Sequence, residues 1–300
     1  MSDFSLSFDD LVSSTSVNNP FVETKKLAYE SDNRFYQLTK DSDGNGQALV
    51  SFLPDADRKT VLQVYKFNIT NHVNGSKRFI NMISPTTCGQ PDPIQEEWQR
   101  LWNSGDREGA RQYSRSIRYI TNIKVVRDPE NPDNEGKIFL YEMSAKLFDK
   151  LKQALCPSDK EIALGASRKE IFNPTSGWIF KLTARKQPSG ITTYDSSEFV
   201  YNTDIKVYKT VDEAIADIKN KTHKLSWFLE PSNYPSYETI ADKLAWLKGE
   251  KSGNSNASAV KVEVNDAEPV PEIKDEQPKQ PAKKHRIDDL DAAIDELTSF

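Results

Sequence analysis

The sequence predicts an α+β protein, with short strands forming a small barrel or sandwich, helices beside it and polar segments at both ends. Three observations predict this. Short alternating runs separated by hairpin signals begin near Phe35. Amphipathic stretches at helical spacing lie between and after them. After Gly249 the composition changes abruptly to Ser, Asn, Glu, Lys and Pro. Four segments follow: a flexible arm (1–20), a folded core (21–250), a disordered linker (251–286) and an acidic interaction tail (287–300).

The arm is rich in Ser, Asn and Asp, with Phe4, Leu6, Phe8 and Leu11 scattered through it; it reads as a docking peptide or a plain disordered terminus. Asp43-Gly44-Asn45-Gly46 then turns into a strand that Pro54 ends. The run 61–73 places Val61, Tyr65, Phe67 and Ile69 on one side and Lys66, Asn68 and Thr70 on the other, and Asn74-Gly75 turns it into a hairpin. A helix is expected over 94–115, with Trp98, Leu101 and Trp102 on one stripe and Gly105 and Gly109 weakening or breaking it. Ser144 suits the N-cap of an amphipathic helix carrying Leu147, Phe148, Leu151 and Leu155. Residues 177–186 alternate, with Trp178, Phe180 and Leu182 opposite Lys181, Thr183 and Arg185. Thr210 and Glu213 form a capping box, and a last helix, 237–248, meets Gly249 at its C′ position.

The formal net charge is −5, but residues 21–250 hold 33 Lys and Arg against 31 Asp and Glu, whereas 251–300 hold 7 against 11. Between residues 98 and 127, Arg100, Arg107, Arg111, Arg115, Arg118, Lys124 and Arg127 face only Asp106 and Glu108. Local charge steers a polyanion more than the total does. Within that segment Arg111, Tyr113, Arg115, Arg118 and Tyr119 interleave cations with aromatic rings. That pattern suits a groove that tracks a phosphate backbone and stacks its bases. It equally suits a hairpin with solvated arginines and core tyrosines. In strict alternation Tyr119 shares a face with Ile117, Ile123 and Val125, so a bulge or a strand end is needed to turn it outward. Ile120 and Val126 lie on the other face, so the strand is expected to be covered on both sides for part of its length.

No phosphate-binding GxxxxGK[ST], nucleophile elbow or HExxH occurs, and no set of carboxylates converges by spacing, so a binder rather than an enzyme is expected. The two cysteines, Cys88 and Cys156, imply no disulfide framework. Only Cys88 and His72 read as neighbours in a metal site, which is short of the four ligands a structural zinc needs. No long apolar run marks a membrane span, and the acidic start is unlike a signal peptide.

Three blocks carry a family resemblance: GNGQALVSFLP (44–54), YITNIKVVRDPENPDNEGKIFLYEMSAKLFDKL (119–151) and GWIFKLTARKQPSGITTYDSSEF (177–199). In order over roughly 35–200, they resemble the single-stranded DNA-binding proteins of T-even-like tailed phages. The middle block, with its NEGK turn before an amphipathic helix, is the most specific. The resemblance implies an OB-fold-type small β-barrel core with an inserted or adjacent helical subdomain and a disordered acidic tail. It implies a sequence-tolerant, helix-destabilising protein that coats single-stranded DNA during replication, recombination and repair in the cytoplasm of the infected host. Arg115, Tyr119 and Tyr141 match groove positions, and Tyr194 falls where the family places another aromatic, whereas Ile191 occupies a neighbouring position that is aromatic in its best-known form. Arg111, Tyr113, Arg118, Lys124, Lys137, Lys181 and Arg185 are added from charge and alternation. The tail, with Asp288, Asp289, Leu290, Asp291, Ile294, Asp295, Glu296 and Leu297, resembles the family's acidic terminus that recruits replication, recombination and repair proteins; a merely solubilising end is the alternative.

Two departures stand out. The best-known form holds zinc through one His and three Cys, but the corresponding loop here reads CGQPDPIQEE, so no zinc is expected, and packing around Trp98 and Trp102 is expected to hold the subdomain instead. The family's basic arm, which supports self-association along DNA, is replaced by SDFSLSFDDLVSS, so any cooperativity is expected to use other residues. An RNA-binding protein and an interaction adaptor with a solvated basic face stay open at this point. Parallel DNA and RNA titrations would separate the first, and a salt series on oligo-dT the second.

Overall fold

The computed structural model describes residues 32–250; the expected arm, linker and tail fall wholly outside them, as do residues 21–31 of the expected core. Eight strands make one antiparallel sheet: β1 (Gly46–Leu53), β2 (Leu62–Val73), β3 (Ser76–Ile83), β4 (Ser116–Arg127), β5 (Ile138–Met143), β6 (Trp178–Lys186), β7 (Thr192–Thr193) and β8 (Glu198–Tyr201). The helices are α1 (Pro93–Asn103), α2 (Arg107–Gln112), α3 (Ala145–Leu155), α4 (Asp159–Ala163), α5 (Val211–Lys221) and α6 (Tyr237–Lys248). None of the described helices is long and apolar enough to cross a membrane.

Strand β4 organises the sheet. Its Tyr119 and Ile120 pair with both β2 and β5, while Asn122, Ile123 and Lys124 pair with both β1 and β5. β1 and β2 therefore lie end to end along one edge of β4, with β5 on the other. The connection between them is held by buried Asp55, which accepts hydrogen bonds from Asp57 N (2.9 Å), Lys59 N (2.8 Å) and Leu225 N (3.0 Å). Thr121 Oγ donates to Thr60 O (2.7 Å) at the same junction.

An OB-fold-type small β-barrel was the expectation; the structure shows an antiparallel, open sheet with helices packed on it. The path runs β3-β2-β4-β1-β6-β7, with β5 and β8 branching from β4 and β6, and among the described residues no pairing joins its ends. The apolar side of the β2–β3 hairpin is packed by helices. Phe67, Ile69 and Ile80 pack with Ile94 of α1, Tyr113, and Ile240, Leu244 and Leu247 of α6. This is the helical subdomain, built from two distant chain segments.

A second, larger core lies on the same sheet face. Ala48, Val50, Phe52, Ile123, Val125, Phe180 and Leu182 meet Leu147, Leu151, Ala154 and Leu155 of α3. The other face of β4 is covered by the 3-10 turn Leu225–Leu229, whose Leu225 and Phe228 bury Val64, Ile120 and Leu140, and by α5 near Leu53. β4 is thus covered on both faces for part of its length, as its apolar residues on both sides required.

Local signals act as read. Asn74 and Gly75 both take positive φ (50° and 76°) in the tight hairpin turn. The 94–115 helix breaks at Gly105 (φ 88°) into α1 and α2. Ser144 and Thr210 cap α3 and α5, and Gly249 is left-handed after α6. Glu213 reaches back one residue further than a capping box, to Lys209 N (3.2 Å).

The α6 latch depends on Glu97. Its carboxylate accepts from Arg100 (2.8 Å) and pairs with Lys248 (2.7 Å), while Arg78 donates to Trp246 O and Asn71 to Leu247 O (3.0 Å). Arg100 first, then Lys248, hold the Glu97 carboxyl at about 2, below its ordinary 4.5. The folded value is depressed, so this stabilisation is complete above about pH 4.5 and is lost as pH falls toward 2. Glu97→Gln should therefore cost roughly 1–2 kcal/mol at pH 7. In urea titrations the gap between variant and wild type should narrow by pH 3; a gap independent of pH would disprove the ionic origin.

Candidate nucleic-acid interface

The two cores on one sheet face do not meet. Between them β2 and β4 run on, with Tyr65 directly opposite Ile117 and Gln63 opposite Tyr119. Cross-strand partners share a face, so these four side chains stand together. Ile117 is 43 % exposed, although Ile123 and Val125, further along the same face, are fully buried. Tyr119 sits at that boundary. Of the two alternatives, a bulge is absent, since the pairing of residues 116–120 is regular, and Tyr119 lies near the Ser116 end of β4, where the strand outruns the core.

Each ring in this strip is held from one side. Tyr119 stacks on Phe148 of α3 with centroids 3.7 Å apart and planes 10° apart. The Arg115 guanidinium lies 3.9 Å over the Tyr65 ring and donates to Thr86 Oγ (2.7 Å). Among the described residues Arg115 has no carboxylate partner. Arg111, at the end of α2, is exposed four residues before it. Lys150 of α3 donates to the carbonyls of Asp195 (2.5 Å) and Ser197 (2.7 Å), which ties the Tyr194 loop to the helix that carries Phe148. A fixed cation beside flat, partly exposed rings is what a phosphate-and-base ligand needs.

The remaining sequence candidates scatter. Tyr113 is 7 % exposed inside the helical-subdomain core, and Tyr141, also 7 % exposed, packs beside Tyr36 in the larger core. Tyr194 is partly buried against that core. Arg118, Lys124, Lys181 and Arg185 lie on the opposite sheet face from Tyr119 and Phe180. There Arg118 (3.6 Å) and Lys66 (2.6 Å) share Glu142. Lys124 is buried, paired with Asp217 (3.4 Å) and set 3.5 Å over the Tyr208 ring, so its charge is already answered. Burial lowers its pKa. Lys137 is exposed just before β5. Sequence reasoning missed Tyr65, Ile117 and Phe148 as members of the strip; Tyr65 opposite a basic-aromatic strand was the available signal.

The chain matches the family model described as "gp32 DNA binding protein like" over residues 44–248. It belongs to that family. It is 29 % identical over 237 residues to the single-stranded DNA-binding protein of enterobacteria phage T2, covering 75 % of this chain and 74 % of that protein. It is likewise 29 % identical over 240 residues to the single-stranded DNA-binding protein of phage T4, covering 75 % and 74 %. The family match spans β1 to α6 and so includes every residue of the strip.

The loop that the resemblance aligns with a zinc site does not fit that ion. Cys88 Sγ donates to Pro85 O (3.1 Å), and Asp92 accepts from Ile94 N (2.9 Å) and Ser84 Oγ (2.6 Å). His72 is not its neighbour: Ser84 bonds to Tyr65, and His72 lies about 23 Å further along β2 at roughly 3.3 Å per residue. No three His, Cys, Asp or Glu side chains converge among the described residues.

Proposed function

We propose that this protein binds single-stranded DNA with little sequence preference, along the strip formed by Tyr65, Arg115, Ile117 and Tyr119. The observation that carries the reading is the Arg115 guanidinium, without a carboxylate partner among the described residues, laid on Tyr65 beside a Tyr119 ring already stacked from beneath. Family membership over the whole folded region supports it. Arg115, with Arg111 nearby, holds phosphate oxygens. Bases stack on the rings, whose π-faces accept any base, and the Tyr194 loop extends the contact.

Binding is stoichiometric. Because only the single strand fits, occupancy shifts duplex DNA toward melting. The protein coats and protects single strands during phage replication, recombination and repair in the host cytoplasm. Its acidic tail (Asp288 to Leu297) recruits partner proteins, and self-association along the strand assists coverage.

Titration of the full chain with oligo-dT across a salt series tests this. Affinity should fall steeply with salt, by about 0.7 in log–log slope per phosphate contact, and Arg115→Ala should lower the slope by roughly that amount. Absence of binding at low salt would end the proposal, and tighter binding to a matched RNA oligomer would redirect it.

A further inference from the structure

We infer that the loop Ser84–Asp92 is a metal-free bracket that positions Arg115 and Tyr65 for DNA, an inference that rests on the function proposed above. Four polar side chains form a directed line. Ser84 Oγ–H donates to Asp92 Oδ2 (2.6 Å), and Ser84 Oγ lies 2.8 Å from Thr86 Oγ. A hydroxyl has a single proton to give. Ser84 has given its proton to Asp92, so Thr86 is the donor to Ser84, and the Thr86 oxygen then receives the Arg115 N–H at 2.7 Å. The line runs Arg115 to Thr86 to Ser84 to Asp92, from a guanidinium to a carboxylate through two hydroxyls, with every proton assigned.

The far end is immobile. Ser84 and Asp92 are 0 % and 1 % exposed, and the second Asp92 oxygen caps α1 through Ile94 N. The same loop holds the ring partner. Ser84 N donates to Tyr65 O (2.7 Å), and Tyr65 N donates to Thr87 Oγ (3.0 Å), just where β3 stops pairing with β2. The free edge of β2 at Tyr65 is thus occupied by loop groups, and both members of the Arg115–Tyr65 stack hang on one loop. An arginine side chain fixed before binding loses less freedom when phosphate arrives. Thr86, Ser84 and Asp92 are positioning residues in this scheme.

Thr86→Val removes the acceptor but keeps the shape and every charge. In the full chain it should weaken oligo-dT binding about five- to tenfold and leave the salt slope unchanged, whereas Arg115→Ala lowers that slope. In an Arg115→Ala background, Thr86→Val should have no further effect, and Thr86→Ser should bind like wild type. Unchanged affinity in Thr86→Val, or an equal loss with and without Arg115, would overturn the bracket while wild-type binding left the proposed function standing. If wild type itself fails to bind oligo-dT, it is the function that falls. A chelator should alter neither affinity nor melting temperature; a loss of either that zinc restores would also overturn it.

Discussion

Alanine at Tyr119 is expected to weaken oligo-dT binding by about 5- to 150-fold, the equivalent of roughly 1–3 kcal/mol of base–aromatic stacking. The Phe148 ring beneath it, 3.7 Å away and nearly parallel, fixes Tyr119 in the free protein, so little ordering is left for the ligand to impose. No charge is removed, so the salt slope should match wild type even as affinity falls. Tyr119→Phe keeps the ring and should bind within about twofold of wild type, because any base can lie on a π-face without the hydroxyl. The same titrations distinguish other roles. Wild-type affinity in a folded Tyr119→Ala protein would show that the ring is only a core boundary, and a loss in Tyr119→Phe as deep as in Tyr119→Ala would assign the contact to the hydroxyl. Thermal melts report folding separately, because removing half of a stacked pair also costs stability, about 0.5–1.5 kcal/mol beyond lost area.

What was legible in the sequence follows the range of each interaction. Asn74-Gly75, Ser144, Thr210 and Gly249 act within four residues of themselves, and a local pattern records such effects fully. The alternation of β2 correctly put Tyr65 with Phe67 and Ile69, yet it carries no mark for where helices stop covering that side. Phe67 lies under α1 and α6 and Tyr65 does not, so one apolar stripe became core at one end and candidate ligand surface at the other. The surroundings of Lys124 were hidden for the complementary reason. Its strand position reads as an exposed cation, but Asp217 and Tyr208 arrive from 93 and 84 residues away and enclose it. The open sheet was hidden similarly, since the end-to-end placement of β1 and β2 on β4 is a matter of distant pairing. Short strands at hairpin spacing fit open and closed sheets alike.

The two faces of β4 also separate attraction from architecture. On the strip side Arg115 has a ring and a hydroxyl for company, so its full charge is available to a phosphate. On the other side Lys66, Arg118 and Lys124 are matched by Glu142 and Asp217 at the seams between layers. Counting cations treats them alike, whereas partner geometry separates those tied to carboxylates within the fold from Arg115, which has none among the described residues.

The largest loss of stability is expected at Asp128, in the turn between β4 and β5. The Asp128 side chain is fully buried, and its carboxylate accepts from Tyr36 OH (2.9 Å), Asn134 Nδ2 (2.9 Å) and Asn131 N (3.2 Å). Its own N–H donates to Glu135 (3.1 Å), and Gly136 supplies the positive φ of 80° that returns the chain to β5. One carboxylate thus joins the hairpin tip to Tyr36, whose hydroxyl pKa is raised by burial and by the nearby Asp128 charge. Asp128→Ala leaves Tyr36 OH and Asn134 Nδ2 without their acceptor, while Asn131 N keeps its bond to Asp128 O (3.1 Å), and an unmet buried donor costs about 1–3 kcal/mol. A net loss of roughly 2–4 kcal/mol should appear as a lower urea midpoint at unchanged m-value. Asp128→Asn keeps one acceptor oxygen but turns an amide toward Asn134, so it should fall between wild type and alanine. Oligo-dT affinity of the Asp128→Asn protein, measured well below its midpoint, should stay near wild type, because no strip residue touches this turn. A midpoint within about 0.5 kcal/mol of wild type for Asp128→Ala would mean that β4–β5 pairing alone closes the hairpin, and that the polar turn is incidental to it.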